Sequence, residues 1–209
     1  MSMGPFVTTF PGMPPAKSLE NAYQFRKVFP DEIGPDGAIL PIFYERLRAA
    51  HNNPVPERRK RQRSEQPVFA LYTDASGQEI RLDYIQSREF YCAWYEGFVF
   101  GFYGNGDATR DFVTLLNEIF KGRNLLICGY DGQDWEAAPG ATDAEKLDFL
   151  YQSPKRPFGH ELVLATMLRY PYEPELWPWR RHVRHVEFPA FDTRSFLKEH
   201  GVHDGADDE

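Results

Sequence analysis

Cysteine is nearly absent from this chain. Only Cys92 and Cys128 occur in 209 residues. They stand in unlike contexts and without metal-type spacing, so neither a disulfide framework nor a zinc module is expected. A reduced, intracellular thiol state, cytoplasmic or nuclear, is the default. Also missing is any apolar run of about 18 residues, which leaves no candidate for a transmembrane helix. The first residues show no basic stretch followed by an apolar one, so no secretory signal is expected. Positive charge is in deficit, with a net charge of −7. That balance argues against broad, non-specific attraction to nucleic acid, although a local basic patch can still exist. No internal repeat and no domain-length linker interrupts the chain.

Aromatic residues are plentiful, at 15 % of the chain with 17 Phe and 11 Tyr. They can line an aromatic pocket or fill a core. With 42 % hydrophobic and 26 % charged residues, the composition is that of an ordinary globular protein, long enough to bury one full core.

The most informative stretch runs from Ser18 to Pro30. Ser18 is a good helix N-cap, and Pro30 cannot continue a helix and biases Phe29 away from helical geometry. Between them Glu20, Gln24 and Lys27 fall at i, i+4 and i+7, which predicts one stripe on a helix. A carboxylate, an amide and an amine on one line are either a solvated face or a set of groups that meets a substrate. Spacing by itself leaves both open.

The rest of the chain supplies a scaffold. Residues before Lys17 are rich in Pro and Gly and read as loop. A second helix is expected over Pro41–Ala50, with Phe43, Leu47 and Ala50 on one face. Arg58-Arg59-Lys60-Arg61-Gln62-Arg63 carries five positive charges in six residues. This run reads as a solvated loop, a nuclear import signal or an arm contacting phosphates. Pro67–Thr73 and Glu79–Ile85 predict a β-hairpin around the turn Asp74-Ala75-Ser76-Gly77. Ser87 is placed to cap an aromatic helix running from Arg88 to about Phe102. A further helix from Thr109 to Lys121 should end at Gly122. Thr142 and Glu145 form a capping-box pattern that opens a helix over Asp143–Tyr151. Trp177-Pro178-Trp179-Arg180-Arg181 can stack on a base or pin the tail to the domain. The histidines at 182, 185, 200 and 203 are too irregular to read as a metal site, and the acidic end Asp204–Glu209 is expected to be disordered.

Three segments together resemble the NADAR (NAD- and ADP-ribose-associated, YbiA-like) superfamily. The first is the loop Gly4-Pro5-Phe6-Val7-Thr8-Thr9-Phe10 followed by Glu20, Gln24 and Lys27. The second is the apolar run Asn124–Cys128 leading into Gly129-Tyr130-Asp131-Gly132-Gln133-Asp134-Trp135, where Trp135-Glu136 replaces the usual Trp-Gly. The third is Gly159-His160-Glu161 opening a helix to Arg169, where Glu161 replaces the usual Asn. The resemblance implies an α+β, predominantly helical fold: one NADAR/YbiA-like domain over residues 4–169 with a small β-hairpin, then an extension over 170–209.

It also implies an N-glycosidase that removes ADP-ribose from modified guanine in DNA or RNA. Glu20 would act as acid and base. Lys27 would hold the diphosphate as an ammonium, or attack C1 as a Schiff-base nucleophile if the surrounding Tyr and Phe desolvate it; what the family implies favours the nucleophile. Phe10, Tyr23, Gln24, Asp131, Asp134, Trp135, Gly159 and Glu161 would bind substrate. Gln24 would bond ribose, Trp135 would stack on a ring, and Asp131 or Asp134 would take ribose hydroxyls or orient Lys27. No metal or cofactor, no membrane and a monomer are expected. The alternatives are an ADP-ribose-binding module without turnover, or an N-glycosidase acting on a small nucleotide of riboflavin-pathway type.

Overall fold

A computed structural model describes residues 12–59, 65–74, 76–102, 106–129, 135–136, 138–186 and 191–202. The fold is α+β, with helices dominant and one small three-stranded antiparallel sheet. Two compact units divide the chain, Met1–Ser87 and Arg88–Glu209.

The first unit opens with helix α1 (Leu19–Gln24), capped as expected by Ser18, whose Oγ accepts the Asn21 amide at 3.4 Å. The helix ends at Gln24, well short of the proline. Phe25 is its C-cap, and Lys27–Val28 forms strand β1. The cause is tertiary. The carbonyl of Arg26 accepts the Leu71 amide at 2.9 Å and that of Val28 accepts the Val68 amide at 2.8 Å, so these residues pair with a strand and leave the helix. That partner is β2 (Phe69–Thr73), which pairs in turn with β3 (Glu79–Leu82). The order is β1-β2-β3, with β1 at one edge and Lys27 opposite Ala70. The hairpin expected from the sequence is therefore present, and β1 is an addition to it.

Between β1 and β2 comes helix α2 (Pro41–Asn52), started by Pro41 in its first turn. Phe43 and Leu47 are fully buried with Val28 and Leu71 in one apolar cluster. Each such side chain stabilises the fold by roughly 2 kcal/mol. Asn21, also fully buried, stitches the segment after α2 to α1. Its Nδ2 donates to the carbonyls of Ala50, Asn53 and Val55, and its Oδ1 accepts the Glu57 amide.

Helix α3 (Tyr84–Val99) begins in the first unit, earlier than Ser87 suggested. Asp83 and Gln86 close its start reciprocally. The Gln86 amide donates to Asp83 at 2.7 Å, and the Asp83 amide donates to Gln86 at 2.9 Å. That is the capping-box exchange with Asp in place of Ser or Thr. Ser87 instead sits inside the helix, its hydroxyl bonded to the Tyr84 carbonyl.

The second unit continues α3 and adds α4 (Gly106–Phe120), α5 (Asp143–Gln152), α6 (His160–Arg169), α7 (Pro178–Arg181) and α8 (Thr193–Glu199). Gly122, at φ +81°, ends α4 with the 119 and 118 carbonyls accepting the amides of Gly122 and Arg123. The capping box opens α5 as the sequence predicts. Trp177 and Trp179 are wholly buried. Their burial fits packing and leaves neither ring a face for a base. Trp177 stacks on Phe100, which also meets Phe112 and Phe196.

The second unit carries its charge inside. Arg88, almost completely buried, donates to the carbonyls of Leu150, Tyr151, Ser153 and Arg156. These lie at and beyond the end of α5, where carbonyls lack helical partners. Glu89 accepts the backbone amides of Arg184, His185 and Val186 at 3.0, 2.7 and 2.6 Å. Glu96 accepts the Trp179 indole at 2.9 Å and pairs with Arg180.

Candidate functional site

Helix α1 and the strand beside it gather four of the residues marked by the sequence. Gln24 Nε2 donates to Glu20 Oε1 at 2.7 Å, one helical turn away. Lys27 Nζ donates to Gln24 Oε1 at 2.8 Å and lies 4.6 Å from the centre of the Tyr23 ring. The stripe predicted at i, i+4 and i+7 is therefore a hydrogen-bonded chain, although its geometry differs from the expectation. Lys27 sits outside the helix, and its side chain returns from β1 toward the last turn. Gln24 and Tyr23 are buried, and Glu20 and Lys27 are partly exposed. With one amide bridging both, the carboxylate and the amine are held a fixed span apart at a wetted surface.

Chemically, such a chain can do two things. A carboxylate beside a reacting carbon can stabilise positive charge or move a proton. An ammonium over an aromatic face and against an amide oxygen attracts an anion, and once deprotonated it is a nucleophile.

Beneath this surface the first unit is unusually polar. Arg26 is buried, donates to the Leu71 carbonyl at 3.4 Å and lies 5.0 Å from the centre of the Tyr72 ring. Burial pulls its guanidinium down to about 10. Burial also pushes the Tyr72 hydroxyl well above the usual tyrosine range. His51, fully buried, donates from Nδ1 to the Pro14 carbonyl at 2.9 Å. Burial lowers it to about 4, against the opposing pull of that hydrogen bond, with the nearby Arg26 charge acting in the same downward direction.

Glu32 is a hub with no exposed side-chain surface. It takes the Phe29 amide at 3.0 Å, Arg46 at 2.9 Å and also Arg59. The sequence does not single out Glu32, and it offers Arg59 only as one charge of the basic run. Arg59 belongs to the basic run, yet its side chain is almost enclosed between the rings of Phe25 and Phe29. Arg58 beside it is exposed. An i, i+3 relation between Phe29 and Glu32 was the available clue to the hub, since a Glu at that spacing closes back on a helical start.

The other marked residues belong to the second unit. Trp135 is partly exposed, with Lys146 Nζ 6.0 Å from its ring centre. Gly159 is the N-cap of α6, and Glu161 lies in the first turn. The Glu161 carboxylate rests against two glycines. A Cβ at Gly129 would stand 2.2 Å from its Cγ, and one at Gly159 would stand 2.6 Å from its Oε2. Tyr95 stacks on His160, and burial together with the Glu161 charge raises its hydroxyl to about 12. Phe10, Asp131 and Asp134 lie outside the described residues, as do Lys60, Arg61, Gln62 and Arg63 of the basic run and the acidic end.

Among the described residues no group of three or more His, Cys, Asp or Glu is arranged to hold a metal ion, and no helix is long and apolar enough to cross a membrane. A shallow depression of about 460 Å³ lies along α2 between Ile39, Tyr44 and Arg48. No family model, no curated protein and no solved structure matches this chain.

Proposed function

We propose that the protein is an N-glycosidase that removes ADP-ribose from modified guanine in nucleic acid, within a NADAR-like domain. The observation that carries the reading is the Glu20–Gln24–Lys27 chain with Tyr23 beneath the amine, together with the three motifs that resemble that superfamily. In this scheme the neutral Lys27 amine bonds to C1 of the ribose as the C1–N bond to guanine breaks, and the base leaves with a proton from Glu20. The C1–O4 bond then opens, O4 taking up the proton the amine loses, and a Schiff base forms at C1. Water, activated by the Glu20 carboxylate, then hydrolyses the Schiff base. Free ADP-ribose departs and the amine is restored. Gln24 holds the two groups at their separation.

A second reading draws on one specific feature. An amine bonded to an amide oxygen and set over a ring face is well placed as a permanent cation. On that ground the alternative is a module that binds ADP-ribose through its diphosphate without turnover. The two readings separate in an assay on an oligonucleotide carrying ADP-ribosylated guanine. The hydrolase reading expects turnover in the wild type and a loss of at least about 10²-fold in both Lys27→Ala and Glu20→Ala. It also expects a borohydride-trapped protein–ribose adduct that disappears in Lys27→Arg. Binding of ADP-ribose with no turnover and no adduct would leave the module.

A further inference from the structure

The basic run meets the candidate site at one residue whose place in the structure the sequence did not anticipate. Strand β1 is the edge of the sheet. The carbonyls of Arg26 and Val28 turn to β2, so by strand alternation the Lys27 carbonyl points the other way. There Arg59 donates to it through Nη1. The same guanidinium donates through Nη2 to Glu32, which Arg46 and the Phe29 amide hold in place. The rings of Phe25 and Phe29 flank the fork. Lys27 is thus gripped by the sheet on one side and by the nearly enclosed Arg59 side chain on the other, and its own side chain leaves from between them toward Gln24.

We propose that Arg59 is a positioning residue for Lys27, setting the root of the amine so that Nζ meets Gln24 and the substrate carbon. The proposal rests on Lys27 being the working amine. An edge strand of two residues has few ladder bonds of its own, and a displacement of about 1 Å at a reacting group can cost about 10²-fold in rate. The planar two-pronged donor is what reaches a carbonyl and a carboxylate together. Lysine presents its three donors from one nitrogen and does not reproduce the separated prongs of the fork.

Arg59→Lys in the full chain provides the test, with a urea midpoint to establish that it folds. The expected result is a fall of about 10²-fold in kcat with KM within about threefold of wild type. Reductive methylation with formaldehyde and cyanoborohydride, read by peptide mass spectrometry, supplies a measure independent of turnover. Labelling at Lys27 should change at least about threefold while Lys17 and Lys121 keep their rates. Unchanged kcat and unchanged Lys27 labelling in a folded variant overturn the proposal. Should Arg59→Lys fail to fold, Glu32→Gln loosens the same guanidinium and should move Lys27 labelling in the same sense, and no movement there overturns it equally. A wild type without turnover sinks the hydrolase reading alone, because labelling still decides the role of Arg59.

Discussion

Helices α1 and α3 both carry acidic and amide or basic side chains at helical spacing, yet they use them in different ways. On α1, Glu20 and Gln24 bond to one another and to Lys27, and the carboxylate and amine keep contact with water. On α3, Arg88, Glu89 and Glu96 are almost wholly buried, and each ends on backbone or on a tryptophan. The first arrangement keeps a carboxylate and an amine within reach of solvent. The second uses its charges to hold the chain together. Spacing does not distinguish the two; burial and the identity of the partner do.

The sharpest test of that contrast is Arg88→Ala. The substitution withdraws the donor from four carbonyls around the end of α5 and opens a void. Each buried acceptor left unmade costs about 1–3 kcal/mol, and some will find water, so a loss of about 4 kcal/mol is expected. Urea unfolding measures it. A loss under about 1 kcal/mol would mean that the buried charge is idle and that the contrast with α1 is false.

Acid probes the first unit. His51 is lowered by burial to about 4 from an ordinary 6.5, so the fold holds it neutral while the unfolded chain takes a proton below 6.5. Between those values the unfolded state binds more protons, and stability must fall as pH falls. At most about 3 kcal/mol is lost on going from pH 7 to 4 through this group. His51→Asn, which keeps a donor toward the Pro14 carbonyl but cannot titrate, should flatten that part of the profile. An unchanged slope would move the cause of acid lability elsewhere.

Much of this scaffold could be read in advance where the cause is local. Ser18 as a cap, Pro41 opening a helix, the Asp74–Gly77 turn and the Thr142/Glu145 box all act within a few residues, and the structure has each of them. The misses are non-local. Lys27 leaves the helical path because β2, some forty residues later, offers ladder bonds. Arg59 looks like one of five solvated charges until Glu32 and two phenylalanine rings enclose it. The three backbone partners of Glu89 lie almost a hundred residues on. Ser87 is the cap expected from the sequence, but Asp83 and Gln86 close the start of α3 reciprocally one turn earlier. At the candidate site the meeting of Glu20, Gln24 and Lys27 was legible from spacing, but the route by which Lys27 arrives was not.

The smallest expected effect completes the comparison. Among the described residues, Lys27→Ala removes the hydrogen bond to Gln24 and the cation–ring contact with Tyr23. Water can reach the partly exposed amine and carboxylate, so it can replace the lost donor at Gln24 Oε1. Exposed pairs of this kind contribute about 0–1 kcal/mol, and a partly exposed cation over a ring face adds about 0.5–1 kcal/mol. Unfolding in urea should therefore shift by about 0.5–2 kcal/mol, at most half of the Arg88→Ala effect. A group that the fold barely needs, yet keeps hydrogen-bonded to a carboxylate through an amide, is what a reacting or ligand-binding amine looks like energetically. A loss above about 2 kcal/mol for Lys27→Ala would place it beside Arg88 as a structural cation, and the case for chemistry at α1 would lose its physical ground.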